Sequence, residues 1–205
     1  MGIFDALLGR TKPKRANLDD LFALPPAALT LEAATGFTPT GVGAVAFRQV
    51  EGAAFQSAET ESAALIGSDP AASVNQQNDG FGYTWQVVSD ANAEVVNLVT
   101  NLHAVNSALV SQGFDTMLLC STVYFANPNG RRLALVYQYK RGTFYPFAPA
   151  GQKRRDNPVE IQVRGVLSNE LPFEEDTSRW SALWDAPGIN DNPGTNSLEN
   201  GPSGA

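Results

Sequence analysis

Residues 117–140, "MLLCSTVYFANPNGRRLALVYQYK", decide the fold. "MLLCSTVYF" and "RLALVYQYK" are alternating, apolar and rich in β-branched and aromatic side chains, and "ANPNGR" between them has the Pro, Asn and Gly of a reversing loop. Two such runs joined this way predict an antiparallel hairpin. "TFYPF", residues 143–147, is expected to add an edge strand, because Pro146 lacks the amide that a central strand needs. Hairpins dominate and no strand-helix-strand repeat is evident. The expected fold class is therefore α+β, an antiparallel sheet covered by helices.

Upstream of the hairpin, Val95, Val99, Leu102, Val105 and Leu109 recur at helical spacing, with Asp90 or Asn92 as cap and Gly113 as stop. "FGYTWQVV", residues 81–88, sets Tyr83, Trp85 and Val87 against Thr84, Gln86 and Val88, the period of a half-buried strand. A helix is expected from about Ala54 to Ile66, with Phe55, Ala58, Leu65 and Ile66 near one face and "SDP" as its break. "NLDDLFALPP" reads as a short helix capped by Asn17 and stopped by Pro25 and Pro26. After it, "LTLEAATGFTPTGVGAVAFRQV" reads as Gly- and Pro-punctuated β pieces, clearest at residues 42–48. Downstream, Asp156 or Asn157 ahead of Pro158 opens a last long helix, with Val159, Val163, Val166 and Leu167 inward, and "TSRWSALW" makes a final helical turn. The expected organisation is an N-terminal segment at 1–15, one domain at 16–186, and a disordered Gly-, Pro-, Asn- and Ser-rich tail at 187–205.

The 205 residues, 43% hydrophobic and 17% charged, suit a single domain with a proper core. A net charge of −7 argues against nucleic-acid binding, which normally requires a basic surface. Eleven of the fourteen basic residues nevertheless fall within 10–15 and 131–155, and residues 116–155 contain no Asp or Glu. The second window supplies Arg131, Arg132, Lys140, Arg141, Lys153, Arg154 and Arg155 as a candidate patch for an acidic protein or an anionic headgroup. Its aromatics, Tyr137, Tyr139, Phe144, Tyr145 and Phe147, are accounted for by strand alternation as core side chains.

Catalytic and ligand-binding sets are sparse. His103 is the single histidine and is expected on a helix flank, bonded to backbone or solvent rather than serving as a base. Cys120 is the single cysteine and is expected to be a small buried hydrophobe, which also points to a reducing, cytoplasmic compartment. "TGFTPTGVGAV" lacks the Lys and the following helix of a phosphate loop and is better read as glycine-bent strand. Glu174, Glu175 and Asp176 are the one conceivable metal cluster, but Asp176 or Thr177 is more simply a helix cap and the others a solvated face. No enzyme, metal or cofactor is expected.

Residues 1–15, "MGIFDALLGRTKPKR", place Ile3, Phe4, Leu7 and Leu8 on one side of a two-turn helix ahead of Arg10, Lys12, Lys14 and Arg15. So short a helix forms only on a surface, either lipid or its own domain. Four large side chains and nearby cations suffice for a weak, salt-sensitive contact with an anionic membrane. No run approaches the length of a membrane span, and the order of charges is the reverse of a secretory signal.

The strings "MGIFDALLGRTKPK", "NLDDLFALP", "ALTLEAATGFTPTGVGAVAFR", "GYTW", "LHAVNSAL", "LLCSTVYF", "YKRGTFYPFAP", "RRDN" and "SRWSALW" together resemble the PspA-associated protein PspAB family, from Met1 to about Ile189. The resemblance implies a small cytoplasmic partner of the PspA envelope-stress system: a non-enzymatic adaptor that binds a PspA-like protein, peripheral at the inner face of the membrane. No catalytic residue comes with it. The order of elements is also similar to the small secretion-chaperone and YbjN-like fold, which implies a chaperone-like peptide-binding module as the alternative. The oligomeric state is left open, a homodimer included.

Overall fold

The computed structural model describes residues 17–49, 52–79, 81–184 and 186–189. Residues 1–16, with the candidate membrane-contact side chains, and the tail from 190 onward lie outside the described residues.

A 3-10 turn at Leu18–Ala23 runs directly into helix α1, Leu24–Thr35. Pro25 and Pro26 thus open a helix instead of closing one. Amides of the first turn have no intrahelical acceptor, so proline forfeits nothing there and its fixed φ is already helical. Leu24, Ala27, Ala28 and Leu31, at helical spacing, are buried. Gly36 ends the helix at φ 73°, its N–H donating to Glu32 O at 2.9 Å. Residues 29–35, expected as β pieces, are therefore helical, and strand β1 covers Thr38–Arg48.

Helix α2 spans Ala53–Ile66, strand β2 Ala72–Asn78 and strand β3 Tyr83–Asp90. Phe55 and Ile66 of α2 are buried, but Leu65 is 56% exposed and leaves the expected inner face. Helix α3 is Val95–Ser111, with Leu98, Val99, Leu102, Val105 and Leu109 buried. Asp90 Oδ1 accepts from Asn92 N at 2.8 Å just ahead of it. Strands β4, Leu118–Ala126, and β5, Arg132–Gln138, form the hairpin. Asn127 Oδ1 closes its loop by accepting from Asn129 N and Arg131 N. Strand β6 is Thr143–Phe147 and helix α4 Asn157–Leu167, capped by Asp156 Oδ1 on Val159 N.

The six strands form one antiparallel sheet in the order β2-β3-β1-β4-β5-β6, an α+β fold. The outer side of β6 is itself partly paired: Phe144 N donates to Pro172 O, and Glu174 N to Phe144 O, both at 2.8 Å. Close approach of α3 to the central strand requires Gly43. A Cβ there would lie 2.7 Å from Thr122 O and 2.9 Å from Leu102 Cδ1.

Two apolar layers flank the sheet. One holds α1, α3 and α4 against Val45, Val88, Val123 and Leu135. On the other face, residues 180–184 and 186–189 cross the sheet as a strap, with Trp180, Ala186 and Ile189 buried against Val42, Tyr124 and Tyr145. Trp180 stacks on Tyr145 and Trp184 meets Phe147 edge-on. Both sides of β3 are therefore covered, so it is not the half-buried strand its alternation suggested. Gly188 at φ 90° and buried Ile189 pack beyond the expected domain edge at residue 186.

Candidate functional site

Between the strap and the sheet lies a groove of about 580 Å³. Strand register explains it. Ala46 stands opposite Trp85 on one side and Cys120 on the other, and Cys120 stands opposite Gln138. Two small side chains in mid-sheet, between Trp85 and Tyr145, leave a hollow that Leu183 and Trp184 wall but do not fill. Gln138 fastens the strap's base by donating from Nε2 to Arg179 O at 2.9 Å.

The rim is charged. Lys140 and Arg141 stand on the β5–β6 turn, and Lys153 on a loop in which Gly151, Gln152 and Lys153 successively adopt left-handed φ of 76°, 49° and 52°. On the β2–β3 turn, Asp79 also borders the groove but is committed to its own turn. Its carboxylate accepts from Trp85 Nε1 at 3.0 Å, Phe81 N at 2.8 Å and Tyr83 N at 2.9 Å. Burial pushes this carboxyl up, and the three donors together outweigh that and hold it below its ordinary value. Phe81 itself is 82% exposed at the lip.

The seven basic residues of the candidate patch do not form one cluster. Arg131 and Arg132 stand at the start of β5, whereas Lys140 and Arg141 follow its end, with the seven-residue strand, about 20 Å long, between them. Arg131 pairs with Asp156 at 3.9 Å and Arg141 with Glu174 at 3.5 Å. Arg155 turns inward and places Nε 3.0 Å from both oxygens of Glu160. The window without acids is thus partly neutralised by acids later in the chain. Arg154 is exposed, and Lys153 joins Lys140 and Arg141 at the groove.

Glu174 is not part of a solvated face: it is 7% exposed and also pairs with Arg179 at 3.5 Å. Asp176 caps the 3-10 turn Thr177–Arg179 through Ser178 N at 3.0 Å. Among the described residues, no group of three or more His, Cys, Asp or Glu side chains is arranged to hold a metal ion. Cys120 borders the groove, and burial pushes its thiol up to about 12, far from the thiolate a nucleophile requires.

The structure also produces an arrangement invisible in sequence. His103 Nε2 lies 3.1 Å from Asp19 Oδ1, and Ser107 Oγ lies 3.3 Å from His103 Nδ1. The order matches a Ser-His-Asp relay, but the serine is one helical turn from the histidine on α3, and none of the three borders the groove. Asp19 is 82% exposed, and Phe22 rests on the imidazole at 5.0 Å. The geometry docks the N-terminal 3-10 turn on α3.

No helix among the described residues is long and apolar enough to cross a membrane. No curated protein and no solved structure matches the chain significantly. The family model described as PspA associated protein B, PspAB, matches residues 1–188, and the chain belongs to that family.

Proposed function

We propose that this protein is a non-catalytic accessory partner of PspA in the envelope-stress response, acting as an adaptor in the cytoplasm and peripherally at the inner face of the membrane. One observation carries the reading: the groove is built for adhesion, with an apolar floor and the cations Lys140, Arg141 and Lys153 at its rim. Of the other candidate cations, Arg154 is exposed on the same loop as Lys153, whereas Arg132 and Arg131, the latter paired with Asp156, stand at the far end of β5. The family's association with PspA supports the partner. In this reading Ile3, Phe4, Leu7 and Leu8, followed by Arg10, Lys12, Lys14 and Arg15, add weak membrane affinity.

Capture of purified PspA by the tagged full-length chain tests the adaptor half. Flotation with vesicles containing anionic lipid, with and without residues 1–15, tests the membrane half. Unchanged flotation after the deletion ends that half. The chaperone alternative is less favoured because most of both faces of the described sheet is covered, which leaves the groove and the exposed edge strand β2 rather than a broad platform for client peptides.

A further inference from the structure

We infer that the groove is the docking site for an acidic segment of a protein partner. One bulky apolar side chain of that segment sinks onto the Ala46–Cys120 floor, and its carboxylates meet Lys140, Arg141 and Lys153. This deepens the adaptor reading and rests on it.

Four features select the occupant. The volume, about 580 Å³, falls in the range of clefts that bury a drug-sized ligand, which is room for one bulky apolar side chain together with the backbone that flanks it, and the floor between Trp85 and Tyr145 is apolar. The cations stand on two separate elements, the β5–β6 turn and the 150–154 loop, so they address several carboxylates along a segment rather than a single headgroup. Asp79 at the rim stays anionic but its carboxylate is turned onto three donors of its own turn, and Arg141 is shared with Glu174 at 3.5 Å, so the segment's carboxylates are met chiefly by Lys140 and Lys153. Phe81, exposed at the lip, offers an aromatic face to the flanking part of such a segment. Charge complementarity of this kind sets specificity and encounter rate more than raw affinity, so binding is expected to weaken with salt.

The probe is a fluorescein-labelled synthetic peptide with one Phe among glutamates, titrated by anisotropy against the full-length chain. Controls replace its Phe by Ala or its glutamates by Gln. Reversing two exposed rim charges, Lys140→Glu with Lys153→Glu, should weaken binding about tenfold or more. Cys120→Met, which raises the floor, should remove the preference for the Phe peptide while leaving the rim intact. The same preparations are used to capture purified PspA. Equal binding of the Phe and Ala peptides, or unchanged binding by the rim variant, overturns the inference. So does binding of dodecyl phosphate in the groove without any binding of the peptide, which would make it a site for a small amphiphile. PspA captured equally by wild type and rim variant also overturns the inference and leaves the adaptor reading standing. Groove-dependent peptide binding with no capture of PspA removes the adaptor reading and leaves the groove chemistry in place.

Discussion

Arg155→Met removes a guanidinium from the point where β6, α4 and the strap meet. Its Nε serves both oxygens of Glu160 at 3.0 Å, Nη1 donates to Trp180 O at 2.8 Å and Nη2 to Pro146 O at 3.2 Å. The guanidinium carbon also lies 5.0 Å from the Phe147 ring centre. Glu160 is 2% exposed and keeps one other donor, Ala148 N at 2.9 Å. Methionine preserves the apolar stem but leaves a buried carboxylate with one N–H and two carbonyls without their donors. Breaking a buried pair from one side costs about 3–5 kcal/mol. We expect a loss of about 4 kcal/mol, a large share of a typical total of about 5–15 kcal/mol, and a fall in Tm of about 10 °C.

The sign of the pH dependence follows from Glu160. Burial raises its pKa above the ordinary 4.5, and the bonds from Arg155 and Ala148 only partly offset this. An acid whose folded pKa exceeds its unfolded value favours the folded state most below the unfolded pKa, and that contribution is lost as pH rises through the folded value. Without Arg155 the folded pKa rises further, so the penalty of Arg155→Met should be larger at pH 7.5 than at pH 5. Adding Glu160→Gln, which still accepts from Ala148 N, should recover most of the loss at pH 7.5. Urea unfolding followed by Trp fluorescence at both pH values measures all of this. A loss below about 1 kcal/mol, a pH-independent loss, or a double variant no better than the single one would refute the account.

Three further outcomes follow from local geometry. Gly43→Ala sets a methyl against backbone Thr122 O and Leu102 Cδ1, and should lower stability by about 2–3 kcal/mol in the same urea assay. With its thiol pushed up to about 12, Cys120 is about one part in ten thousand thiolate at pH 8, so iodoacetamide should label the folded chain at least about a hundredfold more slowly than the unfolded chain. Gln152→Gly relieves a left-handed φ of 49° and should raise the urea midpoint by the equivalent of about 0.5–1 kcal/mol; a fall would show that the side chain, not the backbone, matters there.

What sequence reveals here divides along physical lines. The β4–β5 hairpin and α3 are legible because each carries a strong local period with its own turn or stop: Asn127 to Gly130 for the hairpin, Gly113 for the helix. The Pro25–Pro26 pair misleads because proline both ends and begins helices, and the buried spacing of Leu24, Ala27, Ala28 and Leu31 decides between them only in retrospect. Strand β2, "ASVNQQN", has no apolar alternation, since an edge strand is held by backbone pairing to β3 and five of its seven residues are exposed. Burial of both sides of β3 depends on a strap some hundred residues later, and no window around Trp85 contains that information.

The site follows the same division. The cationic window at 131–155 is visible as composition, but which of its charges remain outward is decided by Asp156, Glu160 and Glu174, which follow it in the chain and claim Arg131, Arg155 and Arg141. The floor is harder still to see. Ala46 and Cys120 are unremarkable small residues in two runs of sequence, and they make a hollow only because antiparallel register sets them side by side. A shift of one residue in the β1–β4 pairing would send one of the two to the opposite face, so the groove is a property of register. A β1 substitution that altered this pairing would therefore be expected to change the groove while leaving its lining residues intact, a coupling that no list of rim charges could anticipate.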